Sequence, residues 1–530
     1  MKSKRVYQFL FILLLFAFVW YGWKFIQRTA IVSNGQKISA LFDDAMISMQ
    51  YAKNLAQGNG LVWNAGGERV EGYSNPLWVF LMAGIHFFPI PLIQTSFYVK
   101  LMSLLFLLLN LIVVKGIAEQ LTKNKLVPLI AAFLTAFYFP LNNWSLQGME
   151  VGLEALLLDA ALLLALRAVL RKSFSPWPYV LFGLCVLLRM DAGAPALTAT
   201  AALAWLDKDR RKLHWQWGLG VLALTLGGLT VFRLAYYREW LPNTYYLKLG
   251  GMSTVLRISL GLRRFWDFLW NSNWALFALT LAVPVLDRRK LLWPLYAVIL
   301  AQVGYSIYVG GDAWEHVGGA NRFIAAVMPL FFVLFAHALG HLQDLILQPK
   351  VKTKWATPVS QFALAGISII SLFSFNTLLV NNPVAKWTLR DKPVFTDSVE
   401  RYALMGLALR KVTTENAVIA VVTAGNIPYF SERICVDLLG KNDPIIAHGP
   451  ARINSSLFQP GNFRPGHNKW NYSYSIGELQ PDIVAQIWEG TDEEAAPYLI
   501  DYQLYVIDGI PYYFLKDSEN VLWDQIPPQD

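Results

Sequence analysis

About eleven apolar runs divide this chain, most of them close to the ~20 residues that an α-helix needs to cross a hydrocarbon layer. They cover residues 6–26, 97–118, 126–142, 151–170, 177–189, 193–206, 216–236, 272–286, 291–309, 323–345 and 357–380. Lipid offers no hydrogen bonds to backbone N–H and C=O groups, so runs of this kind fold as helices. The expected fold class is therefore a polytopic all-α transmembrane bundle. The fifth and sixth runs are short and flank Arg189-Met190-Asp191, which reads as the turn of a tight helical hairpin. A soluble enzyme is excluded by a chain of 530 residues that is 55% hydrophobic and only 15% charged. Met1-Lys2-Ser3-Lys4-Arg5 followed by apolar residues to Ile26 resembles a signal peptide, yet the run is long and has no small-residue cleavage site, so it reads as a retained first span.

Topology turns on residues 76–94. The apolar stretch there is short and ends at Pro89-Ile90-Pro91, where the prolines break a helix. If it does not cross, the basic clusters around Lys115/Lys123/Lys125, Arg167/Arg171/Lys172, Lys208/Arg210/Arg211/Lys212, Arg288/Arg289/Lys290 and Lys350/Lys352/Lys354 all fall on the side of Lys2, Lys4 and Arg5, as the positive-inside rule requires. The same threading gathers the polar motifs on the outer face: residues 27–96, 144–150, 189–191, 237–271 and 310–322. Residues 381–530 are more polar, with an amphipathic stretch at 398–412, a strand-like run at 417–422, a turn at Gly425 and a hairpin pattern at 502–508 and 512–516. The chain thus reads as a transmembrane module, 1–380, whose first outer loop is 27–96, and an extracytoplasmic α/β domain, 381–530.

The net charge of +9, from 45 basic and 36 acidic residues, is spread in short topology-setting runs and gives no nucleic-acid signal. Cys185 lies in an apolar run and Cys435 in the tail, so neither a disulfide framework nor a zinc site is indicated. Asp43 and Asp44 stand side by side just after the first run. Adjacent carboxylates repel and are disfavoured in a low dielectric, so a pair kept at a membrane surface points to work on a proton, a cation or a developing positive charge. The alternative is that one of them caps a helix running from about Ala45 to Ala56 and stopped by Gly58.

The first outer loop continues Asp43-Asp44-Ala45-Met46-Ile47-Ser48, Tyr51-Ala52-Lys53-Asn54-Leu55-Ala56, Gly58-Asn59-Gly60-Leu61-Val62-Trp63-Asn64 and Glu68-Arg69-Val70-Glu71-Gly72-Tyr73-Ser74-Asn75-Pro76-Leu77-Trp78. With Leu241-Pro242-Asn243-Thr244-Tyr245-Tyr246-Leu247-Lys248, Gly310-Gly311-Asp312 and Arg322-Phe323, and Asp437-Leu438-Leu439-Gly440-Lys441-Asn442-Asp443 and Gly466-His467, this resembles membrane glycosyltransferases of the GT-C superfamily. Within it, the chain is similar to the polyprenyl-phosphate-dependent arabinofuranosyltransferases of the mycobacterial cell-wall type. The resemblance implies a bacterial inner-membrane enzyme with its site and tail facing the periplasm. It would move a sugar, arabinofuranose in the first instance, from a polyprenyl-phosphate donor to a glycan, glycolipid or protein acceptor, with inversion.

The resemblance places the proton-accepting role on Asp43 or Asp44. An acceptor hydroxyl must lose its proton as it attacks, which a carboxylate assists as general base. Departure of a lipid phosphate is eased by cations; the outer-face candidates are Arg322, Lys248, His316, Arg189 and His467. Asp312, Asn243, Glu150, Tyr73 and Trp78 are candidate substrate contacts, the last two forming a stacking wall with Trp63. Each has a plainer role: Lys248 snorkelling, Arg189 paired with Asp191, Asp312 holding Arg322, Glu150 at a helix N-terminus, the aromatics as an interfacial belt. No residue spacing meets the needs of a closed metal site, and a Mg²⁺ or Ca²⁺ dependence stays open. The competing classes are a transferase for another polyprenyl-linked sugar, a transporter of lipid-linked saccharides, and a noncatalytic binding or assembly protein. A transporter would place ionisable groups near the midplane in related halves, whereas these motifs lie at span ends without a repeat.

Overall fold

The computed structural model describes residues 2–315, 321–347, 356–376, 380–453 and 463–528. Each of the eleven apolar runs is helical: Lys2–Arg28, Leu92–Leu121, Leu126–Ala136 with Phe139–Leu146, Val151–Leu170, Trp177–Leu188, Gly193–Leu206, Arg211–Tyr236, Trp274–Leu281 with Val283–Leu286, Trp293–Val309, Arg322–Leu347 and Ala356–Phe375. Among the described residues, five helices are long and apolar enough to cross a membrane alone, and two bent pairs bring the number to seven. The count of eleven from composition therefore exceeds what length supports. Trp177–Leu188, at 12 residues, reaches only about 18 Å at 1.5 Å per residue. Val151–Leu170 is long enough but carries Glu154, Asp159 and Arg167. Pro76–His86 has 11 residues, about 17 Å of helix, well short of the ~30 Å hydrocarbon core, in keeping with a segment that does not cross.

By contacts the chain forms two compact units. The first comprises Met1–Arg28, Lys100–Leu229 and Arg257–Val394. At its centre lies the Arg322–Leu347 helix, buried at every position from Arg322 to Gly340 and packed against Leu126–Ala136, Val151–Leu170 and Trp293–Val309. A helix that is apolar on every face can only be stable there. Phe331, Phe332, Phe335 and Phe277 surround Phe375 with ring centroids 5.1–6.0 Å away. The bend between Leu126–Ala136 and Phe139–Leu146 is 50°. Pro140 sits in the first turn after it, and the backbone groups it frees are met by Asn376, which accepts from Phe139 N–H and donates to Phe137 C=O, both at 2.8 Å.

The second unit comprises Thr29–Val99, Thr230–Leu256 and Phe395–Asp530. Directly after the first helix comes an antiparallel hairpin, β1 (Ala30–Ser33) and β2 (Gln36–Ser39), absent from the sequence reading. Asn34 and Gly35 both take positive φ, 49° and 74°, as the favoured two-residue hairpin turn requires. The tail contributes β3 (Val418–Val421), β4 (Ile434–Asp437), β5 (Ile483–Val484), β6 (Tyr502–Ile507) and β7 (Ile510–Leu515) in the order β4-β3-β5-β7-β6. β3 runs parallel to β4 and β5; β7 is antiparallel to β5 and β6. The expected amphipathic stretch is the helix Thr396–Lys411, and the expected hairpin is β6–β7. The tail does not stand alone, however. Asn64 exchanges two hydrogen bonds with the backbone of Cys435 on edge strand β4, at 2.9 and 3.1 Å, and Trp63 Nε1 donates to Ala424 O at 3.0 Å. Thus the composition break at 380/381 does not mark the edge of this unit, because the first loop fills out the tail's fold.

Gly425 shows how close that packing is: a Cβ there would lie 2.0 Å from the backbone oxygen of Asp43. Neither chain can yield without shifting backbone. Gly425→Ala is expected to destabilise this unit by about 1–3 kcal/mol, read as a lowered thermal midpoint of the detergent-purified protein.

Candidate active site

The site begins with the helix Asp43–Ala56. Its N-cap is Phe42 and makes no side-chain capping bond, so neither aspartate is spent on its own helix as a cap. Asp43 instead reaches the tail. Its Oδ1 accepts from Asn426 N–H at 2.8 Å and Asn426 Nδ2 at 3.1 Å, and Oδ2 accepts from Gly425 N–H at 3.3 Å. Burial pushes its carboxyl up to about 6, against the opposing pull of these N–H bonds and of Lys441. The proton is held more tightly in the folded chain than in the unfolded one. Asp43's contribution to stability therefore falls as pH rises from the ordinary carboxylate value through about 6.

Asp44 forms an ion pair with Lys441, a lysine that nothing in the linear sequence sets apart as a partner for the acidic pair. Lys441 is held by a loop built on Asp437. One oxygen of Asp437 accepts from Leu439 and Gly440 N–H, and the other from Asn442 N–H and Nδ2, at 2.8–3.1 Å. Asn243 Nδ2 then bridges the carbonyls of Gly440 and Lys441, both at 2.9 Å. Asn243 accordingly shapes the loop that carries the cation. Tyr51 stitches the same loop to the first segment, accepting from Gly72 N–H at 3.0 Å, with Val70 O at 2.7 Å and Asn442 Oδ1 at 3.0 Å.

His467 is buried and stacked on Trp488, with centroids 5.7 Å apart. Burial, reinforced by the charge of Lys441, lowers its pKa to about 3. In the expected phosphate role it would therefore act as a hydrogen-bonding group and not as a standing charge. Lys248, in the helix Asn243–Leu249, lies along Gly466, where a Cβ would meet its Cγ at 3.3 Å. Trp78, Tyr73 and Trp63 are buried at 1%, 3% and 4% exposure, so they form core and no open stacking wall. Tyr73 packs edge-on to Tyr51 and shares a hydroxyl contact with Tyr237 at 3.1 Å. Beside them Glu71 and Arg233 make a buried two-pronged ion pair at 2.6 and 3.1 Å.

The other expected residues lie in the first unit. Arg189 is enclosed by carboxylates: Glu150 at 2.5 Å, Asp191 at 3.0 Å and Glu154 at 3.5 Å. A buried guanidinium needs such counter-charges, and these occupy it, so neither Arg189 nor Glu150 stands ready for substrate. Arg322 opens its helix with both its N–H and its Nε on Asp312 Oδ2, at 3.1 and 3.2 Å, and its guanidinium lies 5.8 Å from the Trp144 ring. Among the described residues the second oxygen of Asp312 is buried without a hydrogen-bond partner. Glu315 accepts from Asp312 N–H at 3.2 Å and Asn321 Nδ2 at 2.7 Å, and burial followed by the charge of Asp312 raises it to about 7. His316 lies outside the described residues. Among the described residues no three His, Cys, Asp or Glu side chains converge to hold a metal ion.

Superposition on solved structures decides the architecture. ArnT from Cupriavidus metallidurans bound to undecaprenyl phosphate matches 98% of this chain and 99% of its own, with TM-score 0.61 and 10% identity. The archaeal oligosaccharyltransferase AglB from Archaeoglobus fulgidus, in complex with an inhibitory peptide and a dolichol-phosphate, matches 98% of this chain and 75% of its own, with TM-score 0.56 and 13% identity. The chain has the GT-C fold. A sequence relative points the same way: a terminal beta-(1->2)-arabinofuranosyltransferase of Corynebacterium glutamicum is 26% identical over 259 residues, 44% of this chain and 34% of that protein. The match thus spans about a third of the relative's length. Residues 395–508 match a domain of unknown function, DUF8728.

The Glu71–Arg233 pair provides a stability test. Arg233→Met strands a buried carboxylate, which can take up a proton, and is expected to cost about 3–5 kcal/mol, while Glu71→Gln strands a guanidinium that cannot lose its charge and costs at least as much. Thermal unfolding in detergent of both variants reads the difference.

Proposed function

We propose that this protein is an integral-membrane glycosyltransferase that moves a sugar from a polyprenyl-phosphate carrier to an acceptor outside the cytoplasmic membrane. The observation that carries the reading is the Asp43–Asp44 pair, one carboxylate buried and raised toward neutrality and the other ion-paired with Lys441, set in a GT-C fold just after the first apolar helix. Arabinofuranose is the proposed sugar, on the strength of the Corynebacterium relative. The positive-inside distribution supports an outward-facing site in the inner membrane of a bacterium.

In this reading Asp43 is the base. Three of the roughly four acceptor positions of its carboxylate are filled, which leaves one for an acceptor hydroxyl. As the hydroxyl attacks the anomeric carbon its proton passes to Asp43, the new C–O bond forms and the bond to the lipid phosphate breaks, with inversion. Cationic side chains of the same unit, Lys441 and Lys248, offset the charge that builds on the departing phosphate. Asp44 steers Lys441 and keeps the proton affinity of its neighbour high.

The test is transfer by purified protein from synthetic polyprenyl-phosphoryl arabinofuranose to glycan, glycolipid and peptide acceptors. Asp43→Asn is expected to lower kcat by ~10²–10⁴-fold, the usual yield of general base catalysis, with donor binding intact. Wild-type kcat/KM should rise with pH through about 6, where Asp43 loses its proton, and that limb should vanish in the variant. Full activity in both Asp43→Asn and Asp44→Asn would defeat the mechanism. Transfer from another carrier sugar alone would correct the donor.

A further inference from the structure

The helix Thr254–Asn271, expected from sequence to be outer loop, has two unlike faces. On one, Arg257 Nε donates to Tyr308 O at 2.8 Å with its guanidinium 4.7 Å from the Tyr308 ring, and Gly261 passes so close to the backbone that a Cβ would lie 2.2 Å from Ile307 O. On the other, Leu262, Trp266 and Trp270, each four residues apart, are 52%, 61% and 62% exposed, and the two indoles are stacked with centroids 6.2 Å apart. At Ser272-Asn273 the chain turns by 98° into the apolar pair Trp274–Leu286. Asn273 makes that turn at φ 68° and caps the new helix by accepting from Ala275 N–H at 3.2 Å. Trp274, Leu281 and Val285 continue the exposed apolar surface.

We propose that Thr254–Asn271 is an interfacial helix, its Leu262/Trp266/Trp270 face embedded at the boundary between acyl chains and headgroups. Two independent observations agree. The 98° bend lets the apolar pair Trp274–Leu286 enter hydrocarbon while Thr254–Asn271 runs near the membrane plane. A stripe of tryptophans with leucine, continuous with the exposed apolar side chains of the entering helix, matches what settles at a bilayer interface. Its inner face bears on the residues just before Asp312: besides the Ile307 and Tyr308 contacts, a Cβ at Gly311 would sit 3.1 Å from Arg264 Cγ. Lipid contact on the outer face therefore fixes the depth of the Asp312–Arg322 pair, whatever reaction the protein performs.

Spin labels at Leu262→Cys, Trp266→Cys and Trp270→Cys, in vesicles of phosphatidylcholine and phosphatidylglycerol, test this. The native Cys185 and Cys435 are both buried and are replaced by alanine for the purpose. Leu224→Cys, on the exposed side of an apolar helix, gives the hydrocarbon reference, and Asp508→Cys, in the β6–β7 turn, the aqueous one. The stripe labels should collide with oxygen more than with a water-soluble nickel chelate, at a depth shallower than Leu224. Nickel collision equal to that at Asp508 would overturn the proposal in favour of a solvent-facing helix. Exclusion of both reagents would overturn it in favour of a protein contact.

Discussion

The second unit depends on one buried carboxylate. Asp43 accepts three N–H bonds from Gly425 and Asn426, 382 and 383 residues away, and so fastens the first loop to the tail at the point where Gly425 touches the Asp43 backbone. The surrounding ties, Trp63 to Ala424, Asn64 to Cys435 and Tyr51 beside Asn442, are arranged around that anchor. A carboxylate taken out of water needs such donors, and these leave it still able to take a proton near neutrality. Structure and proposed chemistry thus draw on the same group.

The first unit resolves buried charge differently. Arg189 is balanced by three acidic side chains, and Arg322 by Asp312 together with the faces of Trp144 and Phe323. Around them the largely apolar Arg322–Leu347 helix forms the centre, and the bend between Leu126–Ala136 and Phe139–Leu146 is stabilised by Asn376. Polar groups in such a bundle either meet partners or point toward function. The second oxygen of Asp312 is among those that, within the described residues, meet none.

Several features were legible from residues alone. Among the described residues, apolar runs gave the five long apolar helices their place, since backbone in lipid has no alternative, and the strand-like run at 417–422 and the hairpin pattern at 502–508 and 512–516 gave β3 and the β6–β7 hairpin. The Asp43–Asp44 pair stood out because adjacent carboxylates are costly. Side-chain surroundings were less legible. Trp78 and Tyr73, expected as a stacking wall, are core; of the two roles open to Arg189 the pairing with Asp191 is formed, with Glu150 and Glu154 added; and His467 is buried against Trp488. Each depends on neighbours distant in sequence, as does the role of Lys441.

The sequence by itself determined that the chain is a helical membrane protein with a polar, strand-bearing tail and a conspicuous acidic pair, because hydrophobic periodicity and charge placement are local properties that folding cannot override. Only the tertiary structure decided which charges are paired, which aromatics are buried and that the loop at 29–99 shares a unit with residues 395–530. Burial and ion pairing are set by packing between segments hundreds of residues apart, and a linear pattern carries no record of those distances.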